Sequence, residues 1–168
     1  MSTTDPRSAR TSWTESDFEM MNWHDCPVHG IAFVRGEQPW LHRLLFDIDY
    51  ILSWIPARPP SLQLAFEIAP CTLTFEGVSA IDGNLEIDVR FPPRIDEIVR
   101  RGAESKLAVD LQDDDWAVVG HEFMLRLKAN GFKQNLRAAP VVSMVQQLSG
   151  RTRSPINWAD VYEDDALP

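Results

Sequence analysis

Cysteine is scarce in this chain of 168 residues, which has two. Cys26 and Cys71 are too few for a disulfide framework and lack a CxxC spacing, so they are expected as reduced, packed thiols of a cytoplasmic protein. Long hydrophobic runs are also missing. Nothing approaches the roughly 20 apolar residues of a membrane span, and the polar start, Met1 to Ser12, lacks the apolar stretch of a signal peptide. Positive charge is in short supply: 16 Lys and Arg face 25 Asp and Glu, for a formal net charge of −9. Phosphate contacts need clustered Lys and Arg, so nucleic acid is excluded as a general partner and an anionic membrane is disfavoured. A basic partner protein, or plain solubility, fits this balance. No Gly-rich loop cradles a phosphate, and Ser143 and Ser149 have no Gly-x-Ser-x-Gly context. His121-Glu122 leads to Leu125 where a zinc HExxH needs its second His. No cofactor is expected.

What is present is one domain's worth of apolar residues, 44% of the chain with six Trp. Residues 1–12 read as a disordered leader, 13–159 as a single β-rich domain, and 160–168 as a mobile acidic tail carrying Asp160, Glu163, Asp164 and Asp165. The dominant pattern has period two. Val28 to Arg35 puts His29, Ile31 and Phe33 on one face. Leu44, Phe46, Ile48, Tyr50 and Leu52 alternate with Leu45, Asp47, Asp49 and Ile51. Similar alternations run from Leu62 to Ile68, through Leu73 and Phe75, from Leu85 to Phe91, and from Leu107 to Leu111. Each predicts a strand with one face on a core and one in water.

Gly36 to Pro39, Asp82-Gly83-Asn84 and Asp113 to Asp115 carry turn chemistry. Asn130-Gly131 supplies the two positive-φ residues of a type I′ turn, which predicts a hairpin over 121–138, with Gly120 marking a bulge. Pro140, followed by Val141, Val142, Val145 and Leu148 and then Gly150, predicts a helix. Ser154-Pro155 starts a second, carrying Trp158, Val161 and Tyr162. Ile95, Ile98 and Val99 fit a helical turn or a strand equally. The expected class is mainly β, at the margin of α+β: antiparallel sheets forming a sandwich or open barrel, with one or two short C-terminal helices.

Three constellations could carry chemistry. In Trp23-His24-Asp25-Cys26-Pro27-Val28-His29, the residues His24, Asp25 and His29 are metal-ligand types, although neighbours on a strand diverge. Asp47 and Asp49 share a strand face roughly 6.5 Å apart, a gap that suits a shared metal or a pair flanking a scissile bond. Solvated strand faces and a hydrogen-bonded core histidine are the structural readings of the same residues. The third is a basic patch, Arg126 and Lys128 across the predicted hairpin from Lys133 and Arg137, with Arg151 and Arg153 beyond. It could seat an anion or a partner, or complement the acidic tail.

Trp23-His24-Asp25, then His29-Gly30-Ile31, Phe46-Asp47-Ile48-Asp49 and Leu73-Thr74-Phe75-Glu76-Gly77-Val78 resemble a family in that order. It comprises small bacterial β-rich proteins, including immunity proteins of polymorphic toxin systems (the type numbered fifty). In them an HD-x-x-[IV]-H start precedes strands ending in LxFxxV. The likeness spans residues 22–90; the Ile55 to Ser61 loop and the acidic tail depart from it. The resemblance implies a β-rich, non-enzymatic binder that neutralises a toxin, and it transfers no catalytic residue.

Three functional readings follow. The first is a non-enzymatic binding protein that takes another, basic, protein as partner. The second is a metal-dependent hydrolase built on His24, Asp25, His29, Asp47 and Asp49. The third is a homo-oligomeric module, such as a homodimer, whose surplus Trp residues (Trp40, Trp54, Trp116 and Trp158 among them) line an interface.

Overall fold

The computed structural model describes residues 10–86, 88, 90–111, 114–158 and 161. Ten strands follow in order: β1 (Ser12–Thr14), β2 (Cys26–Val34), β3 (Arg43–Ile55), β4 (Ala65–Glu76), β5 (Ala80–Leu85), β6 (Arg94–Arg100), β7 (Trp116–Gly120), β8 (Phe123–Lys128), β9 (Gly131–Leu136) and β10 (Val141–Ser143). Short 3-10 turns at Glu15–Met20 and Pro39–Leu41 punctuate them.

The mainly β, antiparallel expectation holds. All strands belong to one sheet of order β1-β9-β4-β3-β2-β6-β7-β8-β5, with β10 added to β4, and the sheet does not close into a barrel. β2 joins its two halves. Val28 to Val34 pairs with β3, whereas Cys26 and Pro27 pair with Ile95 and Arg94 of β6. The sheet folds over at this joint and encloses an aromatic core. Trp116 of β7 lies 5.8 Å from Phe75 of β4 and 5.5 Å from Phe132 of β9, and Trp23 lies 5.5 Å from Phe132, all between ring centroids. Edge-to-face pairs of this kind add to area burial, and they fix the separation of the two halves.

Several expectations need correction. The hairpin over 121–138 does not form: β8 pairs with β7 and β5, and β9 pairs with β4 and β1. Asn130-Gly131 is instead the corner where the chain crosses between halves, and neither residue has positive φ. A Cβ at Gly131 would sit 2.2 Å from Oε2 of Glu15, the far end of an exposed, flexible side chain. Asp82-Gly83-Asn84 is not a turn but the middle of β5, where Gly83 (φ +148°) lets the strand approach the Met124 carbonyl. Leu62 to Leu64 and Leu107 to Leu111 lie in loops, with Leu62 85% exposed. An alternating stretch becomes a strand only where a sheet edge receives its backbone.

The helix expected from Pro140 to Gly150 is absent. Val141 to Ser143 extends as β10 along Phe66 to Ile68, and bends follow. β-Branched Val141 and Val142 favour that choice, and the free edge of β4 offers the hydrogen bonds. Of the second expected helix, Pro155 to Asn157 is irregular, Trp158 and Val161 are helical, and Ala159, Asp160 and Tyr162 lie outside the described residues. Ile95 to Val99 is the strand β6. Of the expected leader, residues 1–9 lie outside the described residues, while Thr11 and Ser12 are already tied to β9. Apart from Val161, the acidic tail lies outside them too, as do Ile87, Val89 and Asp113.

β3 departs most from the half-wet expectation. Its inner face, with Phe46, Ile48 and Tyr50, is buried, but so are Leu45, Asp49 and Ile51 on the other. The outer face is covered by the C-terminal arm, residues 137–158, which is irregular outside β10. That cover makes the site described next.

Candidate functional site

β3 places Asp47 and Asp49 on its outer face, two residues apart, as the alternation predicts. His29 joins them through a bulge. Val28 pairs with Ile48 and Gly30 with Asp47, so β2 carries one extra residue, His29, at this point. The bulge re-aims the imidazole. His29 Nε2 lies 2.8 Å from Asp49 Oδ2.

The remaining partners come from the arm. Arg153 Nε donates to Asp49 Oδ1 at 2.7 Å, and the Leu148 backbone N–H donates to Asp49 Oδ2 at 2.8 Å. Arg153 also grips Asp47, with Nη1 at 3.2 Å from Oδ2 and Nη2 on Oδ1. Arg137 donates through Nη2 to Asp47 and through Nη1 to Thr72 Oγ1 (2.9 Å) and the Cys71 carbonyl. Its Nε donates to the Ser154 carbonyl at 2.8 Å. Two guanidiniums thus straddle two carboxylates, and charge-assisted bonds in this geometry are the strong ones.

The Asp49 side chain is fully buried and that of Asp47 is 17% exposed. Burial opposes ionisation of Asp49, yet hydrogen bonds from His29, the Leu148 amide and Arg153 outweigh it and hold the carboxyl below its ordinary range. Burial likewise works against the charge on Arg153, but Asp47 and Asp49 overcome it and raise its pKa. Chemically the cluster is a set of matched ions with no free nucleophile or base. Among the described residues, no three His, Cys, Asp or Glu are grouped to hold a metal ion.

His24 and Asp25 stand apart from this cluster. Among the described residues no hydrogen bond or ion pair joins them to His29, Asp47 or Asp49. Asp25 has φ +64°, and its carboxylate accepts from Gln146 Nε2 at 3.1 Å. Arg94 Nη1 donates both to the Asp25 carbonyl (2.9 Å) and to Gln146 Oε1 (3.0 Å). Asp25 therefore holds the same arm at a second point. His24 Nε2 lies 3.8 Å from Asp25 Oδ2 and is exposed.

The basic patch is dispersed. Without the hairpin, Arg126 and Lys128 lie in one half of the sheet and Lys133 and Arg137 in the other. Lys133 pairs with Glu76 at 3.1 Å, and the Arg137 side chain is only 10% exposed. Sequence reasoning missed that Arg137 and Arg153 are the counter-ions of Asp47 and Asp49. No local signal in the sequence pointed to this pairing, since both arginines lie 90 or more residues from the acids.

Elsewhere, a 370 Å³ depression is lined by Phe18, Met21 and Trp23 together with Glu19, Asp96 and Glu104. Of the six Trp residues, Trp13, Trp23 and Trp116 are buried, whereas Trp40, Trp54 and Trp158 are exposed. No described helix is long and apolar enough to cross a membrane. No known protein family, curated protein or solved structure matches the chain.

Proposed function

We propose that the protein is a non-enzymatic binder of another macromolecule, an immunity-type protein that captures a basic target. The observation that supports this most is the engagement of the candidate carboxylates. Asp25, Asp47 and Asp49 hold the protein's own arm instead of facing a substrate. Asp47 and Asp49 cancel Arg137 and Arg153, so the formal net charge of −9 belongs to the rest of the molecule. An acidic exterior draws in a basic partner and speeds association. The two free, buried cysteines fit a reducing bacterial cytoplasm. The hydrolase alternative would require Arg137 and Arg153 to leave both carboxylates.

The test is to identify the products of the genes that flank this one and to titrate any basic toxin candidate among them against the protein by calorimetry. Binding is expected to weaken about tenfold or more between ~0.05 and ~0.5 M salt, as screening shortens the reach of surface charge. Binding that ignores salt, or none at all, overturns the proposal. Hydrolysis that needs a metal and is abolished by chelation would establish the alternative.

A further inference from the structure

The sheet is interrupted between β2 and β5. Val28 still donates its N–H to the Pro93 carbonyl at 2.7 Å; from Gly30 onward β2 has β3 as its one strand partner, and β5 has β8 as its one strand partner, among the described residues. The same gap carries two depressions. One, of 530 Å³, lies between Val28 to Ile31 of β2, Leu85 of β5 and the Phe91 to Pro93 loop. The other, of 210 Å³, lies between Phe33 of β2, Ala80 and Ile81 of β5, and His42. Phe33 sits towards the start of β5 and Ile31 towards its end, so the two edges run antiparallel on either side of one groove.

We propose that this groove binds an extended segment of a partner protein, which enters as a strand between β2 and β5. Two features select a strand over any other occupant. The first is the backbone. Glu86 N–H donates to Glu122 O, and the register of β5 on β8 continues from that pair. Alternation along an antiparallel ladder then turns the N–H and C=O groups of Ile81, Gly83 and Leu85 away from β8 and towards the groove. A row of unpaired backbone groups is a template for another strand. The second is the side chains. Phe33 (53% exposed), Ile81 (41%), Leu85 (46%) and Phe91 (68%) border the groove, with one depression at each end to take an apolar residue. The occupant is therefore a short strand with apolar residues at alternate positions. This inference rests on the binding role proposed above and supplies its site.

The probe is a displayed library of random heptapeptides, selected on the full-length protein, with the best sequence made synthetically. The result expected is an alternating apolar sequence that shifts backbone amide resonances of β2 and β5. Phe33→Asp with Ile81→Asp should weaken it about tenfold or more, and so should N-methylation of its alternate amides, which removes half the ladder donors. Both protein positions are exposed, and an unchanged circular dichroism spectrum verifies the fold of the double variant. No enrichment over that variant, equal binding of the N-methylated peptide, or resonance shifts confined to other strands would overturn the groove. So would concentration-dependent dimerisation abolished by the same variant, which would make a second copy the occupant. If salt-sensitive capture of the toxin survives while these readouts fail, the groove alone is wrong. If capture fails while a strand peptide binds, the toxin-binding role alone is wrong.

Discussion

Replacing Arg153 with alanine isolates the clasp between arm and sheet. Arg153 directs three hydrogen bonds at two carboxylates, one to Asp49 and two to Asp47. Bonds to charged groups contribute about 1.5–3 kcal/mol each, a gross figure of roughly 4.5–9 kcal/mol. Against this stands the cost of desolvating a guanidinium that is only 13% exposed. Asp47 keeps Arg137, while Asp49, fully buried, keeps His29 and the Leu148 amide. One buried carboxylate thus loses its guanidinium but not every donor. The net loss falls at about 2–4 kcal/mol, below the roughly 3–5 kcal/mol of a buried charge stripped of its partner.

The loss should be local before it is global, because most of the arm is irregular and it joins the sheet through β10, the Gln146 contacts with Asp25 and Arg94, and this clasp. Two assays separate the levels. Urea denaturation reads the global term. Hydrogen exchange at the Leu148 amide reads the local one, with protection falling by the factor equivalent to the free-energy loss. Arg153→Lys should recover less than half, since an ammonium cannot reproduce the planar fork. A variant within about 0.5 kcal/mol of the wild type, with Leu148 protection intact, would refute the argument that the ion pairs hold the arm.

Two other measurements follow from the same chemistry. Asp49 has a folded-state pKa below its ordinary value, so its contribution is complete above that value and fades as pH falls through the folded one. Proteolysis of the 137–158 segment should therefore accelerate as the pH falls below about 4; flat kinetics at low pH would contradict it. Burial pushes the Cys26 thiol up to about 12 and raises that of Cys71 as well. Neither should react with a thiol reagent at pH 8 until denaturant is added, and rapid labelling of the native protein would show that burial to be wrong.

The parts of the fold legible in the sequence are those set by side-chain alternation alone. Leu44 to Leu52 and Phe123 to Leu127 alternate, and they form β3 and β8. Pairing was not legible, because alternation says which face is apolar and not which edge lies alongside. Asn130-Gly131 shows the difference. The dipeptide fits a tight hairpin, but Phe132 and Trp116 must meet in the core, and that contact requires the chain to cross between halves there. The Val141 segment shows it again, since a free length of β4 outweighed a helical spacing.

The site was half legible for a related reason. A pair of acids two residues apart on a strand is visible in any sequence, and Asp47 and Asp49 do share a face. Whether that face meets water depends on chain 90 or more residues away, where Arg137 and Arg153 lie. Local pattern carries no information about such a cover, so the same two acids read as catalytic, metal-binding or solvated until the arm is in place. The arm also alters what their charge does. Left in water, Asp47 and Asp49 would add to the acidic field that a basic partner meets; clasped, they drop out of it, and the field arises from carboxylates such as Asp96 and Glu104 around the depression beside Trp23. Removing Arg153 should therefore loosen the arm far more than it changes the salt dependence of partner binding, and the two effects are separable because the charges behind them lie on different elements, Asp47 and Asp49 on β3 and Asp96 on β6.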